Sequence, residues 1–175
     1  SKKLSYSGTS HKINHGNCPE TIPGRSILID IHNPASIKFF DSDQPYYFLT
    51  NFYEEAPIII DGNKFKTAEH YYQWQKFSDP IMQKRIINAP TARIATDLAN
   101  QYHYLKVPNF DRITAMKKAV KAKFEQHPEL ASALKATGQR PLIEHNMHDS
   151  FWSDGGDGSG FNMMGRILME VRSEI

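Results

Sequence analysis

The chain has 175 residues, of which 39% are hydrophobic and 23% are charged, and its formal net charge is +2. This length and composition fit one soluble domain with its own core, and the charge is too small to indicate a dedicated nucleic-acid binder. The single cysteine, Cys18, excludes an internal disulfide and a cysteine-based zinc cluster, and no apolar run approaches the roughly 20 residues that span a bilayer, so we expect a cytoplasmic protein without membrane contact.

The N-terminal part of the chain is predicted to divide into an extension and the start of a domain. Residues 1–26 mix Ser, Lys, His, Asn, Gly and Pro without hydrophobic periodicity, which predicts a loosely ordered extension. The domain is predicted to cover residues 27–175. Within it, residues 27–31 and 37–40 predict two short strands separated by turns.

Two segments then lead to the centre of the sequence. Residues 46–53 are dense in aromatics, which predicts a strand end or an ordered loop that lines a pocket, although plain core packing fits as well. Asn51 is the side chain there that can both donate and accept hydrogen bonds. Residues 58–65 place a β-branched run before an Asp-Gly pair, which is typical of a hairpin.

The next stretch predicts a helix with a polar stripe among aromatic residues. Thr67 is its expected N-cap, and the helix is expected to reach residue 77. Glu69, Gln73 and Lys76 recur at i, i+4 and i+7 and therefore share one face. Seven helical residues separate Glu69 from Lys76 by roughly 10.5 Å along the axis. This spacing suits two groups that flank a bound molecule, and it equally fits a stripe that faces solvent.

Caps and prolines predict further helices along the rest of the chain. The expected segments, in order, are residues 80–88, 91–102, 110–126, 128–138 and 162–173, with a last strand at residues 142–144. The fourth of these six elements begins at Pro128 and ends near Gly138, a typical C-terminal glycine. Lysines at positions 117, 118, 121 and 123 are expected to form a solvated face of the long helix.

A glycine-rich loop at residues 154–160 precedes the final helix. Its free backbone N–H groups suit a phosphate, but it lacks the P-loop and dinucleotide patterns, and a mobile lid or a connector fits equally. Trp152 beside it suits stacking on a heterocycle or packing in the core. His145 and His148 lack a third metal ligand, so neither a metal nor another cofactor is expected.

Several separated motifs together resemble one known family, in the same order along the chain. They are residues 48–53, Asp61-Gly62, residues 68–77 (Ala-Glu-His-Tyr-Tyr-Gln-Trp-Gln-Lys-Phe), residues 123–130, 142–145 and 149–152, the glycine-rich loop, and residues 162–172. The set is similar to the YbiA-like family, also called NADAR (NAD- and ADP-ribose-associated). The resemblance runs from about residue 37 to residue 172 and leaves the extension out.

This resemblance implies both a fold and an activity. The implied fold is α+β, a single compact and mainly helical domain with a small β-sheet or hairpins. The implied activity is an N-glycosidase that hydrolyses the C–N bond between ribose C1 and an amino-heterocycle. Two substrate classes are associated with the family: phosphorylated ribosylamino-pyrimidine intermediates of riboflavin biosynthesis, and ADP-ribose attached to guanine bases of DNA. The single-domain organisation favours the first, a small-molecule ribosyl-heterocycle phosphate. A binding module that holds ADP-ribose without cleaving it is a further alternative.

The resemblance also assigns chemistry to the polar stripe. Glu69 is expected to carry protons, and a deprotonated Lys76 is expected to capture C1 as a Schiff base. Because the pKa of an ordinary lysine is about 10.4, this role requires burial of Lys76 against the surrounding aromatics. Direct attack by water with Glu69 as general base is the alternative.

Other residues are expected around this pair. Asp149 is predicted as a third catalytic group that recognises polar atoms near the scissile bond. The predicted substrate-binding residues are Asn51 for the ribose or base, Phe52 and Trp152 for stacking, Tyr72 on the stripe, and Gly160, Asn162 and Gly165 for the phosphate or for ordering the loop around it.

Three positions depart from the pattern of the family. Thr50 replaces a usual serine, Trp74 replaces a small residue, and Ser153 replaces a customary glycine. We expect Ser153 to change the flexibility of the loop and thereby the size of the substrate. Arg172 is expected to pair with a buried acid such as Glu144.

Overall fold

Six α-helices and four short strands make up the part of the chain that the computed structural model describes, residues 29–175. In chain order these elements are β1 (Ile37–Phe39), β2 (Ile58–Ile60), β3 (Asn63–Phe65), α1 (Ala68–Trp74), α2 (Pro80–Ile87), α3 (Ala92–Gln101), α4 (Arg112–Gln126), α5 (Pro128–Ala136), β4 (Leu142–Glu144) and α6 (Met163–Glu174). Two 3-10 helices, Tyr47–Leu49 and His103–Leu105, join them. The predicted α+β, mainly helical fold is confirmed. None of the helices in residues 29–175 has the length and apolar character to cross a bilayer.

The predictions for the start of the chain fall only partly within the residues that the structure describes. The predicted extension, residues 1–26, lies outside them, as do positions 27 and 28 of the predicted first strand. The remainder of that strand is a turn: the Asp30 side chain accepts the amide of His32 at 3.0 Å, and the Asp30 carbonyl accepts that of Asn33 at 3.2 Å. Because these local bonds bend the backbone, the strand prediction is wrong for residues 29–31.

The hairpin before α1 is confirmed. β2 and β3 pair antiparallel, with Ile58 opposite Phe65 and Ile60 opposite Asn63. Asp61 and Gly62 form the two-residue turn, and both have positive φ values, 49° and 80°. This is the backbone that an Asp-Gly pair favours because it matches the twist of the two strands.

The central helix begins as predicted but ends early. Thr67 caps α1, since its hydroxyl accepts the amide of His70 at 3.1 Å. The α-helix stops at Trp74, where the amide of Lys76 bonds the Gln73 carbonyl at 3.1 Å in a tighter turn. Lys76 therefore lies just beyond the helix that carries Glu69. Asp79, Thr91 and Asp111 cap the next three helices and accept the amides of Ile81, Ile94 and Thr114.

The long helix α4 packs against α1, α5, α6 and β2. Met116, Val120 and Phe124 bury its apolar side in the main core. The expected solvated basic face is wrong at one position, because Lys123 is 2% exposed. Its Nζ donates to the carbonyl oxygens of Phe48 and, at 2.8 Å, Thr50, so it ties α4 to the segment that precedes Asn51.

The first and last strands close the fold. β1 pairs parallel with β4, and Phe39 lies opposite Glu144. The helix α6 packs on β4. Arg172 on α6 does not pair with Glu144, contrary to expectation: its Nη1 donates to Thr137 Oγ1 at 2.9 Å and to the Arg140 carbonyl at 2.8 Å. These acceptors lie at the C-terminal end of α5, next to the C-terminal half of α6, whereas Glu144 faces the cavity described below.

Candidate active site

A cavity of about 610 Å³ opens between α1, α3, β4 and the loop that follows β4. Its volume is in the range of small-molecule sites. Seven of the predicted site residues line it: Asn51, Phe52, Glu69, Tyr72, Lys76, Asp149 and Trp152. The other three, Gly160, Asn162 and Gly165, are not part of its lining.

Glu69, in the first turn of α1, is 4% exposed and accepts three hydrogen bonds. Gln73 Nε2 donates to its Oε1 at 2.6 Å, Thr96 Oγ1 donates to the same oxygen at 2.8 Å, and Asn51 Nδ2 donates to Oε2. Burial raises the pKa of Glu69, while these three donors and the charge of Lys76 act against the rise. The carboxyl is thus held in one orientation, as a proton carrier must be.

Lys76 is partly buried at the same cavity. Its Nζ lies 4.4 Å from the centroid of the Tyr72 ring. Burial is the main cause that lowers the pKa of Lys76 to about 8; the charges of Lys106 and Arg112 add to the effect, and Glu69 opposes it. Since a lysine must lose its proton to attack carbon, the burial that a nucleophilic role requires is present at this side chain.

Aromatic rings form the apolar part of the lining. Tyr72 is 5% exposed and meets Trp152 edge to face, with ring centroids 5.5 Å apart and an angle of 86° between the planes. The guanidinium of Arg93 lies 5.7 Å from the centroid of the Phe52 ring. Flat apolar surfaces next to polar groups are suited to hold a heterocycle in a fixed orientation.

Asp149 shapes the loop that carries Trp152. Its Oδ1 accepts the amides of Phe151 at 2.9 Å and of Trp152 at 2.8 Å, and its carbonyl accepts the amide of Gly155 at 3.0 Å. Asp149 therefore lines the cavity and also fixes the turn from which Trp152 enters it.

Of the three predicted residues outside the lining, Asn162 and Gly165 contact β4, and Gly160 contacts the loop that follows β4. Asn162 donates through Nδ2 to the Leu142 carbonyl and accepts the Glu144 amide through Oδ1, both at 2.9 Å. A Cβ at Gly165 would overlap that same Leu142 oxygen, and one at Gly160 would overlap the backbone of the preceding loop. Contact of these residues with a phosphate stays a prediction. Close packing by itself explains why a glycine or an asparagine stands at each of these positions.

The glycine-rich loop is organised from inside by Asp154. This residue is fully buried and accepts the amides of Asn146 at 3.1 Å and Gly156 at 2.8 Å through Oδ1. Its Oδ2 lies 2.7 Å from His145 Nδ1. Within residues 29–175, no three His, Cys, Asp or Glu side chains come together as a metal site would require.

The sequence did not identify Glu144 as a cavity residue. It is 6% exposed, lines the cavity, and accepts a hydrogen bond at 2.8 Å from Ser153 Oγ. Burial is the largest cause that raises the pKa of Glu144 to about 8; Asp149, Glu69 and Asp154 add to the rise, and Ser153 opposes it. The signal in the sequence was a carboxyl at the end of a predicted strand, directly after two apolar residues, Leu142 and Ile143.

Three residues of α3 were also missed. Arg93, Thr96 and Asn100 line the cavity and recur at i, i+3 and i+7, on one face of that helix. The periodicity of α3 predicts this common face, but only the packing of α3 on α1 brings it to Glu69.

The three departures from the family pattern have different surroundings. Ser153 is 1% exposed and bonds Glu144, so it acts on the cavity by a direct contact. Thr50 Oγ1 donates to the Tyr47 carbonyl at 2.9 Å and caps the 3-10 helix. Trp74 packs on Phe65, with centroids 5.3 Å apart, and is not part of the cavity lining.

Comparisons with known proteins show the family to which the chain belongs. The NADAR domain model matches residues 38–175. A riboflavin biosynthesis protein of Vibrio vulnificus is 42% identical over 141 residues, which are 79% of this chain and 38% of that protein. The N-glycosidase YbiA of Shigella flexneri is 37% identical over 79% of this chain and 88% of its own length. The NMR structure of Escherichia coli YbiA superimposes with a TM-score of 0.73 at 36% identity, covering 79% of this chain and 83% of that one.

Proposed function

The chain belongs to the NADAR domain family and is an N-glycosidase, and we propose that its substrate is a phosphorylated ribosylamino-pyrimidine, cleaved at the C–N bond of ribose C1. The Vibrio relative named for riboflavin biosynthesis supports this substrate class. The chain spans only 38% of that relative, so the substrate is inferred from the matched part alone.

The observation that carries the proposal is the pair of Glu69 and Lys76 in one cavity. Glu69 is fixed by three donors, and the pKa of Lys76 is lowered to about 8. A pocket that only binds a nucleotide needs neither a buried carboxyl nor a lysine that is easily deprotonated. Hydrolysis at a sugar C1 uses both, because a proton must move and a nucleophile must reach carbon.

The proposed reaction begins when neutral Lys76 attacks C1. The bond from C1 to the heterocyclic amine breaks, and its electron pair stays on that nitrogen, which gains a proton. The ring bond from C1 to O4 then breaks, O4 takes a proton from Nζ, and a protonated imine remains between C1 and Nζ. Glu69 then takes a proton from the water that adds to the imine carbon. Release of the ribose phosphate regenerates Lys76, so that one water is consumed in each turnover.

Arg93 is the group that we assign to the phosphate. Its guanidinium lies over the Phe52 ring at the cavity, and no acid pairs with it among residues 29–175. A guanidinium binds phosphate through charged hydrogen bonds in a fork. Contact of the phosphate with the glycine-rich loop is the alternative to this assignment.

The substrate is tested by incubating the protein with the pyrimidine ribosylamine phosphate and, separately, with ADP-ribosylated guanine DNA. We expect release of ribose phosphate from the first. Release of ADP-ribose from the second alone assigns the protein to the other substrate class. Tight binding of ADP-ribose without release from either substrate contradicts the enzyme and favours a binding module.

The covalent step is tested by borohydride reduction during turnover, followed by peptide mass spectrometry. We expect an adduct on Lys76 in the wild type and none in Lys76→Arg, whose side chain stays protonated. Lys118→Arg, at a surface lysine paired with Asp61, is the matched control and retains the adduct. An active enzyme with an unmodified Lys76 contradicts the imine and leaves direct attack by water.

The phosphate contact is tested with Arg93→Met. We expect KM for the phosphorylated substrate to rise roughly 10- to 100-fold, with no change for the dephosphorylated compound. Arg85→Met, at an exposed arginine on α2, is the matched control. An equal change in KM for both compounds contradicts the assignment.

A further inference from the structure

Glu144 is a buried carboxyl that lines the cavity, and the reaction proposed for Glu69 and Lys76 does not use it. It ends β4 and is 6% exposed, and its Oε2 accepts one hydrogen bond, from Ser153 Oγ. In the part of the chain that the structure describes, no Lys, Arg or His side chain pairs with it. A buried carboxyl without a cation is costly to ionise.

The charged groups that face Glu144 are all acidic. Glu69 comes from α1, and Asp149 and Asp154 come from the loop after β4; all three raise its pKa. The other packed elements supply no cation, because β1 places Phe39 opposite Glu144 and α6 contacts the Glu144 amide through a side-chain amide. Burial and these carboxyls together raise the pKa of Glu144 to about 8. At neutral pH this side chain therefore holds a proton that it can give away.

The proposed reaction needs such a proton. A heterocyclic amine leaves carbon poorly as an anion, and it leaves well once its nitrogen is protonated. Glu69 is unsuited to this task, since its three neighbours donate to it and favour the carboxylate. Asp149 is unsuited as well, since its Oδ1 accepts two backbone amides.

We propose that Glu144 is the general acid of the N-glycosidase reaction and that Ser153 adjusts its acidity, an inference that rests on the proposed function. As the C1–N bond breaks, the electron pair stays on the amino nitrogen and the Glu144 proton moves to that nitrogen. Water later provides the hydroxyl that C1 gains, and its remaining proton returns to the Glu144 carboxylate through Glu69. A serine at position 153 stabilises that carboxylate by a hydrogen bond that a glycine cannot make.

The pH dependence of kcat/KM separates this role from a structural one. Activity rises with pH as Lys76 loses its proton and falls with pH as Glu144 loses its own, so the alkaline limb belongs to Glu144. Ser153→Ala removes a bond to the ionised form and moves the alkaline limb upward by roughly 0.5 to 1 pH unit, with the acid limb unchanged. An unmoved alkaline limb overturns the inference.

Glu144→Gln removes the proton donor and keeps the shape of the neutral side chain. We expect a loss of roughly 100- to 10,000-fold in rate, and a residual activity without the alkaline limb. Glu125→Gln, at an exposed residue of α4, is the matched control with both limbs intact. A Glu144→Gln enzyme that keeps the wild-type rate and both limbs overturns the inference.

Infrared spectroscopy reads the proton directly. The difference spectrum between wild type and Glu144→Gln at pH 7 is expected to contain one protonated carboxyl band, and its absence overturns the inference even if the variant is poorly folded. A wild type that releases no ribose phosphate contradicts the proposed function itself. An active wild type with unaltered behaviour in both variants contradicts the role of Glu144 alone.

Discussion

The two walls of the cavity bury one carboxyl each and surround it in opposite ways. On the α1 wall, Glu69 receives three hydrogen bonds and lies near the charge of Lys76. On the β4 wall, Glu144 receives one side-chain hydrogen bond, from Ser153, and is surrounded by carboxyls. Burial raises both pKa values, so the neighbours decide which group works as a base and which as an acid.

Removing the carboxylate from the α1 wall gives the largest expected effect. Glu69→Gln lowers kcat by roughly 100- to 10,000-fold because an amide cannot take a proton. The amide still fits the site, so the thermal unfolding temperature stays close to that of the wild type. Steady-state kinetics and a thermal melt measure both quantities. A variant with a nearly wild-type rate would show that another group is the base, and the two walls would then not have the separate roles of base and acid.

Stability against pH compares the walls directly. The folded state raises the pKa of Glu144 from an ordinary 4.5 to about 8, so its contribution is complete below pH 4.5 and is lost as the pH rises to 8. The free energy of unfolding should fall over this window by on the order of 3 to 5 kcal/mol. In urea denaturation, Glu144→Gln flattens this dependence more than Glu69→Gln does. If both variants flatten the pH dependence of the free energy of unfolding equally, the pKa values of Glu69 and Glu144 are raised to the same extent, and the two walls do not differ in this respect.

The α1 wall also depends on a support below it, Lys123. Lys123→Met leaves the carbonyls of Phe48 and Thr50 without their donor and should lower the free energy of unfolding by about 2 kcal/mol at pH 7. We expect kcat to fall as well, because these carbonyls precede Asn51, a donor to Glu69. Urea denaturation and steady-state kinetics provide the measurement. A more stable variant would show that the buried charge costs more than its bonds contribute.

Removing one of the hydrogen-bond donors to Glu69 has the smallest expected effect. Thr96→Val removes one of three hydrogen bonds and should raise the pKa of Glu69, with a loss of about fivefold in kcat/KM near neutral pH. Thr96→Ser keeps the hydroxyl and is the matched control. A pH profile of both variants makes the measurement, and identical profiles would show that Thr96 only packs.

Local signals in the sequence predicted the α1 wall well. Thr67 as cap, Asp61-Gly62 as turn, and Glu69 with Lys76 on one stripe all depend on neighbours within a few positions, and such patterns are visible in one sequence. The early end of α1 could not be predicted from the sequence, because the tighter turn at Lys76 depends on contacts between this segment and the rest of the fold.

The β4 wall could not be predicted in the same way. Glu144 gains its role from burial against β1 and from carboxyls that arrive from α1 and from the following loop. Lys123 looked like one more cation on a basic helix, and only the packing of the Phe48–Thr50 carbonyls against α4 takes it out of water. Both cases depend on contacts between distant segments, which periodicity does not describe.

The parallel pairing of β1 with β4 has a consequence for how the protein gains its activity. The two strands are more than 100 residues apart in the chain, and closing so long a loop comes at an entropic cost that local helices do not bear. Glu144 arrives with the last strand, whereas Glu69 and Lys76 sit in a segment that can form early. During synthesis or refolding the helices should therefore form before the enzyme becomes active. The time at which activity returns then measures when the pairing of β1 with β4 is complete.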